Sequence, residues 1–139
     1  MAAFNKFNPL TEDLAEKVHN LGSDTLKVML TNAAPSAANS VKADITEISA
    51  GNGYTAGGTA VTITASSQTG GTYKLVGNDV VFTASGGSIG PLRYAVLYNS
   101  TPAAGNLIGW WDYGSALTLA DGSTLTVDFS ATNGILQIS

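Results

Sequence analysis

Histidine occurs once in this chain, at His19, and cysteine does not occur. Most catalysis at neutral pH leans on imidazole, thiolate, amine or a tuned carboxylate pair. A Ser–His–Asp triad would also need a nucleophile elbow, and none is read here. His19 is therefore expected to be a surface or capping residue. Asp44 with Glu47, and Asp112 with Asp128, have the residue types for glycosidase-like acid/base work. Ten acids spread over 139 residues supply such pairs by chance. Gly51, Gly53 and Gly57 resemble a phosphate loop only loosely, since no helical pattern follows and Gly-x-Gly-x-x-Gly is not matched. One imidazole without a thiolate makes no usual zinc site, and no Asp-rich calcium loop is spelled. The residues predict a protein that is not an enzyme, with no catalytic residue, cofactor or metal.

Aromatic side chains are the better candidates for function. Trp110 and Trp111 are adjacent, so on a strand they point to opposite faces, one to the core and one outward. An outward Trp is a common interface anchor, and Tyr98 and Tyr113 fit the same region. Tyr54 is the one large side chain in the glycine-rich turn around it. Phe4, Phe7 and Leu10 are too widely spaced by polar residues for a core strand, yet costly to leave wet. Residues 1–10 are thus expected to form an arm that docks on another subunit. The candidate interface residues are Phe4, Phe7, Leu10, Tyr54, Trp110 and Trp111.

The elements that must position these groups are mostly strands. A short helix is expected over 12–21, with Thr11 as cap, Glu12 and Asp13 at its positive end, and Leu14, Val18 and Leu21 at helical spacing. A hairpin turning at Gly22-Ser23-Asp24 is the rival for that segment. From Thr25 onward period-two alternation predicts strands over 25–31, 43–48, 59–66, 72–77, 80–84, 92–99, 106–113, 116–120 and 124–130, with 135–138 as a short extra. Gly77-Asn78-Asp79, Asp121-Gly122 and Asn133-Gly134 supply turn chemistry. The run Leu92–Tyr98 is apolar on both faces, which predicts a central strand covered on both sides. The reading is an all-β fold, an antiparallel two-sheet sandwich or jelly roll of about eight or nine strands. Residues 1–24 form its arm and helix, and 25–139 a single sandwich domain.

Composition bounds the partners. Ala, Gly, Ser and Thr make up 64 of the 139 residues, and the formal charge is −4. Six basic residues are scattered rather than clustered, so a nucleic-acid partner is not expected. Neither a membrane span nor the apolar core of a signal peptide is read. Asn99-Ser100-Thr101 spells a glycosylation acceptor, which has no use without secretion. Two loops, Asn32–Val41 and Asn99–Asn106, combine small residues with one proline and no charge. Such loops can lie flat against another protein.

Segments along most of the chain, from about residue 4 to the end, resemble those of small virion proteins of tailed bacteriophages. They are His19–Asn32, Ala43–Ile48, Tyr54–Gly58, Leu107–Gly114 and Leu119–Gly122. Within that group the chain most resembles capsid decoration, or cement, proteins with a jelly-roll fold. The resemblance implies a non-enzymatic role on the outside of the assembled head, with the major capsid protein and further copies of itself, as dimer or trimer, for partners. It implies synthesis in the host cytoplasm, a final place on the capsid surface, and no catalytic residue. The alternative expectation is a receptor- or glycan-binding domain of a phage tail fibre or tip, with Trp110, Trp111, Tyr54 and Tyr98 as its recognition surface.

Overall fold

The alternation of Leu26, Val28 and Leu30 with Lys27, Met29 and Thr31 sends two sets of side chains to opposite faces of one strand. In the computed structural model, which describes residues 2–139, the first set enters the main core. Met29 joins a second, smaller cluster with Phe7, Val96, Tyr98 and Leu107 on the other face. The strands are β1 (Asn5–Lys6), β2 (Leu26–Thr31), β3 (Thr59–Ala60), β4 (Ile63–Thr69), β5 (Thr72–Gly77), β6 (Val80–Thr83), β7 (Ile89–Asn99), β8 (Leu107–Leu119), β9 (Thr124–Val127) and β10 (Leu136–Ile138). One helix, α1 (Pro9–Ala15), follows β1.

Five strands form the larger layer in the order β1-β8-β7-β2-β3. The facing strands divide into a three-stranded sheet, β10-β5-β4, and the pair β6-β9, and every pairing is antiparallel. Leu75, Phe82, Val127 and Leu136 from these smaller sheets meet Leu97, Ile108 and Trp111 in the main core. The fold is therefore an all-β sandwich. As its sequence predicts, β7 is central and covered on both faces, with Tyr94–Asn99 buried throughout.

Several local readings need correction. The helix occupies Pro9–Ala15 and not 12–21. Pro9 starts it, because its fixed φ suits the first turn and its missing N–H is not needed there. Lys17, at φ 68, turns the chain out of it. The stretch 43–48 is not a strand: Lys42–Asp44 is a 3-10 turn, and of the rest only Glu47 bridges, to Thr31. Its cause is the Asp44 carboxylate, which accepts from the Ser40 and Val41 amides at 2.9 and 3.2 Å and bends the chain before a ladder can form. The stretch 106–120 is one strand, β8, and not two. Its register steps from Tyr94↔Asp112 to Leu92↔Leu117, so Tyr113–Ala116 bulge out opposite Arg93. Gly77-Asn78-Asp79 turns the chain between β5 and β6, but these do not pair with each other.

The N-terminal residues do not form an arm free to dock elsewhere. Asn5 and Lys6 pair with Trp110 and Gly109 of β8, closing one edge of the large sheet. Phe4 and Phe7 lie on either side of this two-residue strand, at positions of opposite parity, and so fall on opposite faces. Phe4 stacks 5.4 Å from Trp111 on the main-core side, and Phe7 stacks 4.6 Å from Trp110 on the other. Gly109 makes this possible: a Cβ there would sit 2.2 Å from the Phe4 ring. Phe7 is fully buried and Leu10 nearly so, at 4%.

Candidate binding surface

The two uncharged loops leave the β2–β7 ladder at opposite ends, Asn32–Val41 after Thr31 (paired with Tyr94) and Asn99–Asn106 after Asn99 (paired with Leu26), and meet where the first returns at Ser40–Val41. Asn99–Asn106 is the β7–β8 connection, and Asn32–Val41 runs alongside it through a Val41–Asn106 bridge. The Lys42 amide donates to the Gly105 carbonyl at 2.8 Å and the Leu107 amide to the Ser40 carbonyl at 3.0 Å. The outer rim is exposed alanine: Ala33, Ala34, Ala38, Ala103 and Ala104. Alanine has little side-chain entropy to lose on burial, and the charged groups beside Ala103 and Ala104, Lys42 and Glu47, face each other at 3.9 Å.

Beneath the rim lies a polar lock that the sequence gives no pattern for. His19 is not a surface residue: its side chain is fully buried. Its Nδ1 lies 3.0 Å from Asn99 Nδ2, and the same amide donates to Asp24 Oδ2 at 2.6 Å. Asn99 Oδ1 accepts from the Thr101 amide, so the amide group has one orientation and Nδ1 must be the acceptor. The imidazole proton is then on Nε2, which has no hydrogen-bond partner and faces Asp13 Oδ2 at 3.7 Å. Asp13 in turn accepts from Asn106 Nδ2 at 3.1 Å. The first and last residues of the β7–β8 loop are thereby tied to the N-terminal segment. Burial lowers the His19 pKa from 6.5 against the opposing pull of Asp13 and Asp24. The imidazole is held neutral, and protonating Nδ1 would cost the Asn99 hydrogen bond.

A second lock ties the segment from Thr46 to Gly57 to the end of β2. Glu47 Oε1 accepts from Tyr54 Oη and from the Gly57 amide, each at 2.6 Å. Tyr54 Oη also accepts from the Leu30 amide at 3.0 Å, and Tyr98 Oη donates to the Gly57 carbonyl. Burial, and then the hydrogen bond to Glu47, raise the Tyr54 pKa far above its usual range. Thr31 Oγ1 donates to the Thr46 carbonyl and closes the same turn. Tyr54 is therefore a structural pin, 2% exposed, and not a recognition side chain.

The remaining candidates fall as follows. Trp111 is 5% exposed, between Phe4 and Phe129. Trp110 does point to the opposite face, as adjacency requires, but Phe7 and the smaller cluster half cover it. Tyr98 is buried, and burial pushes the half-buried Tyr113 hydroxyl up to about 12. Phe4, Phe7, Leu10, Tyr54, Trp110 and Trp111 are thus not one surface; they are parts of the chain's own packing. Asp44 and Asp112 are held below the usual carboxylate range, Asp44 by the Ser40 and Val41 amides, Asp112 by Arg93 and the Gly114 amide. The Arg93–Asp112 contact is a two-pronged ion pair at 2.8 and 3.1 Å.

Gly86-Gly87-Ser88-Ile89-Gly90 does spell Gly-x-Ser-x-Gly, a string missed in the motif reading. An elbow needs a strand before the serine and a helix after it. Here Ser88 leads directly into β7, and its carbonyl accepts from Asn52 Nδ2 at 2.9 Å. His19 is bound at Asn99, the far end of that strand, roughly 33 Å away at the usual rise per residue. The two cannot act together.

A groove of about 660 Å³ opens between the segment after α1 and the β4–β5 hairpin. Leu14, Val18 and Leu21 form one wall, and Ser66, Tyr73 and Ile138 the other. Set against known proteins, the chain matches no family model, no curated protein and no solved structure.

Proposed function

We propose that this chain is a non-enzymatic decoration (cement) protein of a tailed-bacteriophage head. On this reading it binds the outside of the assembled shell and stabilises contacts between major capsid proteins. The observation that carries the proposal is the exposed alanine of two uncharged loops, Asn32–Val41 and Asn99–Asn106, joined at Val41–Asn106, the second of them tied to the N-terminal segment by the Asp13–His19–Asn99 lock. Two loops held in one conformation lose little further entropy on docking. The resemblance of His19–Asn32 and Leu107–Gly114 to phage virion proteins supports the same reading. A ligand that binds assembled subunits and not free ones stabilises the assembly by mass action. One unit touching two capsid subunits at once gains further because its second contact is effectively intramolecular.

The test is co-sedimentation of the pure protein with empty shells and with free capsid subunits. Retention on shells with poor binding to subunits, little changed between low and moderate salt, is expected for an uncharged rim. Ala34→Lys with Ala103→Glu should lower occupancy without unfolding the protein. Equal binding to both, or none to shells, rejects the cement reading. A glycan that protects the protein thermally would then favour the tail-fibre alternative, with the groove beside Tyr73 as its site in place of the buried tryptophans.

A further inference from the structure

A β-strand at a sheet edge carries a row of backbone donors and acceptors able to pair with another chain. Proteins usually blunt such an edge with lysine, proline, an inward charge or a covering loop. In this sandwich β4 has none of these four devices; its one irregularity is a β-bulge at Thr64, near its start. It pairs with β5 on one side and with nothing on the other. Thr64–Thr69 are exposed along the whole run. Its sequence, ITASSQT, contains no charge, and between Glu47 and Lys74 no residue is charged.

The register identifies the free groups. Gly70 and Gly71, at φ 58 and 88, make the two-residue turn that joins Thr69 to its partner Thr72. Thr69, Ser67 and Ala65 then direct their backbone groups to β5, and the alternate residues Gln68 and Ser66 direct theirs outward, up to the bulge at Thr64. Among the described residues no backbone hydrogen bond from outside the β4–β5 ladder reaches Ser66 or Gln68.

We propose that β4 is the contact for a second copy of this chain, paired antiparallel across a two-fold axis at Ser66. Charge selects that occupant. The chain carries −4 overall, so two copies repel each other over most orientations, and the uncharged β4 edge is free of that repulsion. An antiparallel pairing is also self-complementary, as a two-fold contact demands. In this register Ser66 faces Ser66 of the second copy, and Thr64 and Gln68 face each other on either side. The Ser66 pair exchanges two hydrogen bonds across the axis, and the flanking pairs extend the ladder as far as the bulge at Thr64. The inference gives the self-association in the cement reading a place, but it rests on the strand edge alone and stands if that reading fails.

Sedimentation equilibrium of the full chain over a range of concentrations measures the association, and circular dichroism checks each variant's fold. A concentration-dependent dimer is expected. Thr64→Lys with Gln68→Lys should weaken it on the order of tenfold or more, because like charges then face each other across the axis. Thr64→Glu with Gln68→Lys should restore it. Residues four apart on one strand are about 13 Å apart, so that rescue reports pairing between copies. The chain lacks cysteine, which makes Ser66→Cys a clean second probe. Directly opposed residues at about 5.5 Å are within disulfide reach, so mild oxidation should give a covalent dimer much faster than it does for a Thr83→Cys control. A monomer at all concentrations with no preferential Ser66→Cys cross-link overturns the proposal. So does a dimer indifferent to the changes at 64 and 68. Binding to shells is not part of either readout, so failure here leaves the cement reading to its own test.

Discussion

Strands β7 and β4 sit at opposite extremes of the same sandwich. β7 has a hydrogen-bonded neighbour on each side and a packed layer over each face, with Val96 and Tyr98 turned one way and Ala95 and Leu97 the other. β4 has one neighbour, and only Ile63 has appreciable cover. The difference is one of composition by position. Branched and aromatic residues on both parities make a strand that must be buried twice, whereas Ser, Thr and Gln on both parities make one that no core recruits. Stability therefore concentrates in the large sheet, and β4 is left to serve contact with something else.

The largest effect that would break this contrast lies at the sheet's closing edge. Phe7→Ala removes a fully buried ring and should cost about 3–5 kcal/mol, read as a lower denaturation midpoint. A cost near zero would mean that the β1 edge is not part of the folded unit.

Tyr54→Phe should cost about 1–3 kcal/mol, because the Glu47 carboxylate loses one of its two donors and the buried Leu30 amide its acceptor. Chemical denaturation measures it. A neutral result would show that the segment from Thr46 to Gly57 needs no such tie to the end of β2.

A pH series sharpens the picture of the histidine lock. With its folded pKa depressed below 6.5, His19 takes up its proton in the unfolded chain first. Stability from this group is complete above pH 6.5 and is lost as pH falls from there towards the folded value. In His19→Gln that part of the pH dependence should vanish. The depressed Asp44 and Asp112 act in a lower window: their contribution is present above 3.8 and is lost as pH falls through their folded values.

The smallest effect belongs to β4. Ser67→Ala should change monomer stability by no more than about 0.5 kcal/mol, a tenth of the Phe7 effect. A cost above 2 kcal/mol would place β4 in the core's cooperative unit and erase the contrast.

Much of this architecture was legible in residue alternation. The strands 25–31, 72–77 and 80–84 lie within a residue or two of β2, β5 and β6, because one polar and one apolar face leave a clear period. The 43–48 error has a specific origin: Ile45 and Ile48 mimic a strand, while the deciding event is a carboxylate reaching back to two amides. Four of the interface candidates, Phe7, Leu10, Tyr54 and Trp111, are buried for a related reason. Spacing reports which face a side chain takes, but not what covers that face, and Phe4 and Phe7 are themselves what covers Trp111 and Trp110. The His19 lock joins positions 80 residues apart, and no local pattern encodes such a pairing. Signals did exist for the β4 edge, in its lack of charge and its polar residues on both parities.

The closing strand β1 also sets an order of events during synthesis. Asn5 donates to the carbonyl of Trp110, 105 residues further along the chain. A ribosome that has delivered the first half of the protein holds out Phe4, Phe7 and Leu10 with nowhere to lodge, since β8 has yet to be translated. The large sheet can shut only when the chain is nearly finished. Loop closure over such a distance makes assembly slow relative to a helical protein of this length, and the growing polypeptide must be shielded by a chaperone or outrun its own aggregation.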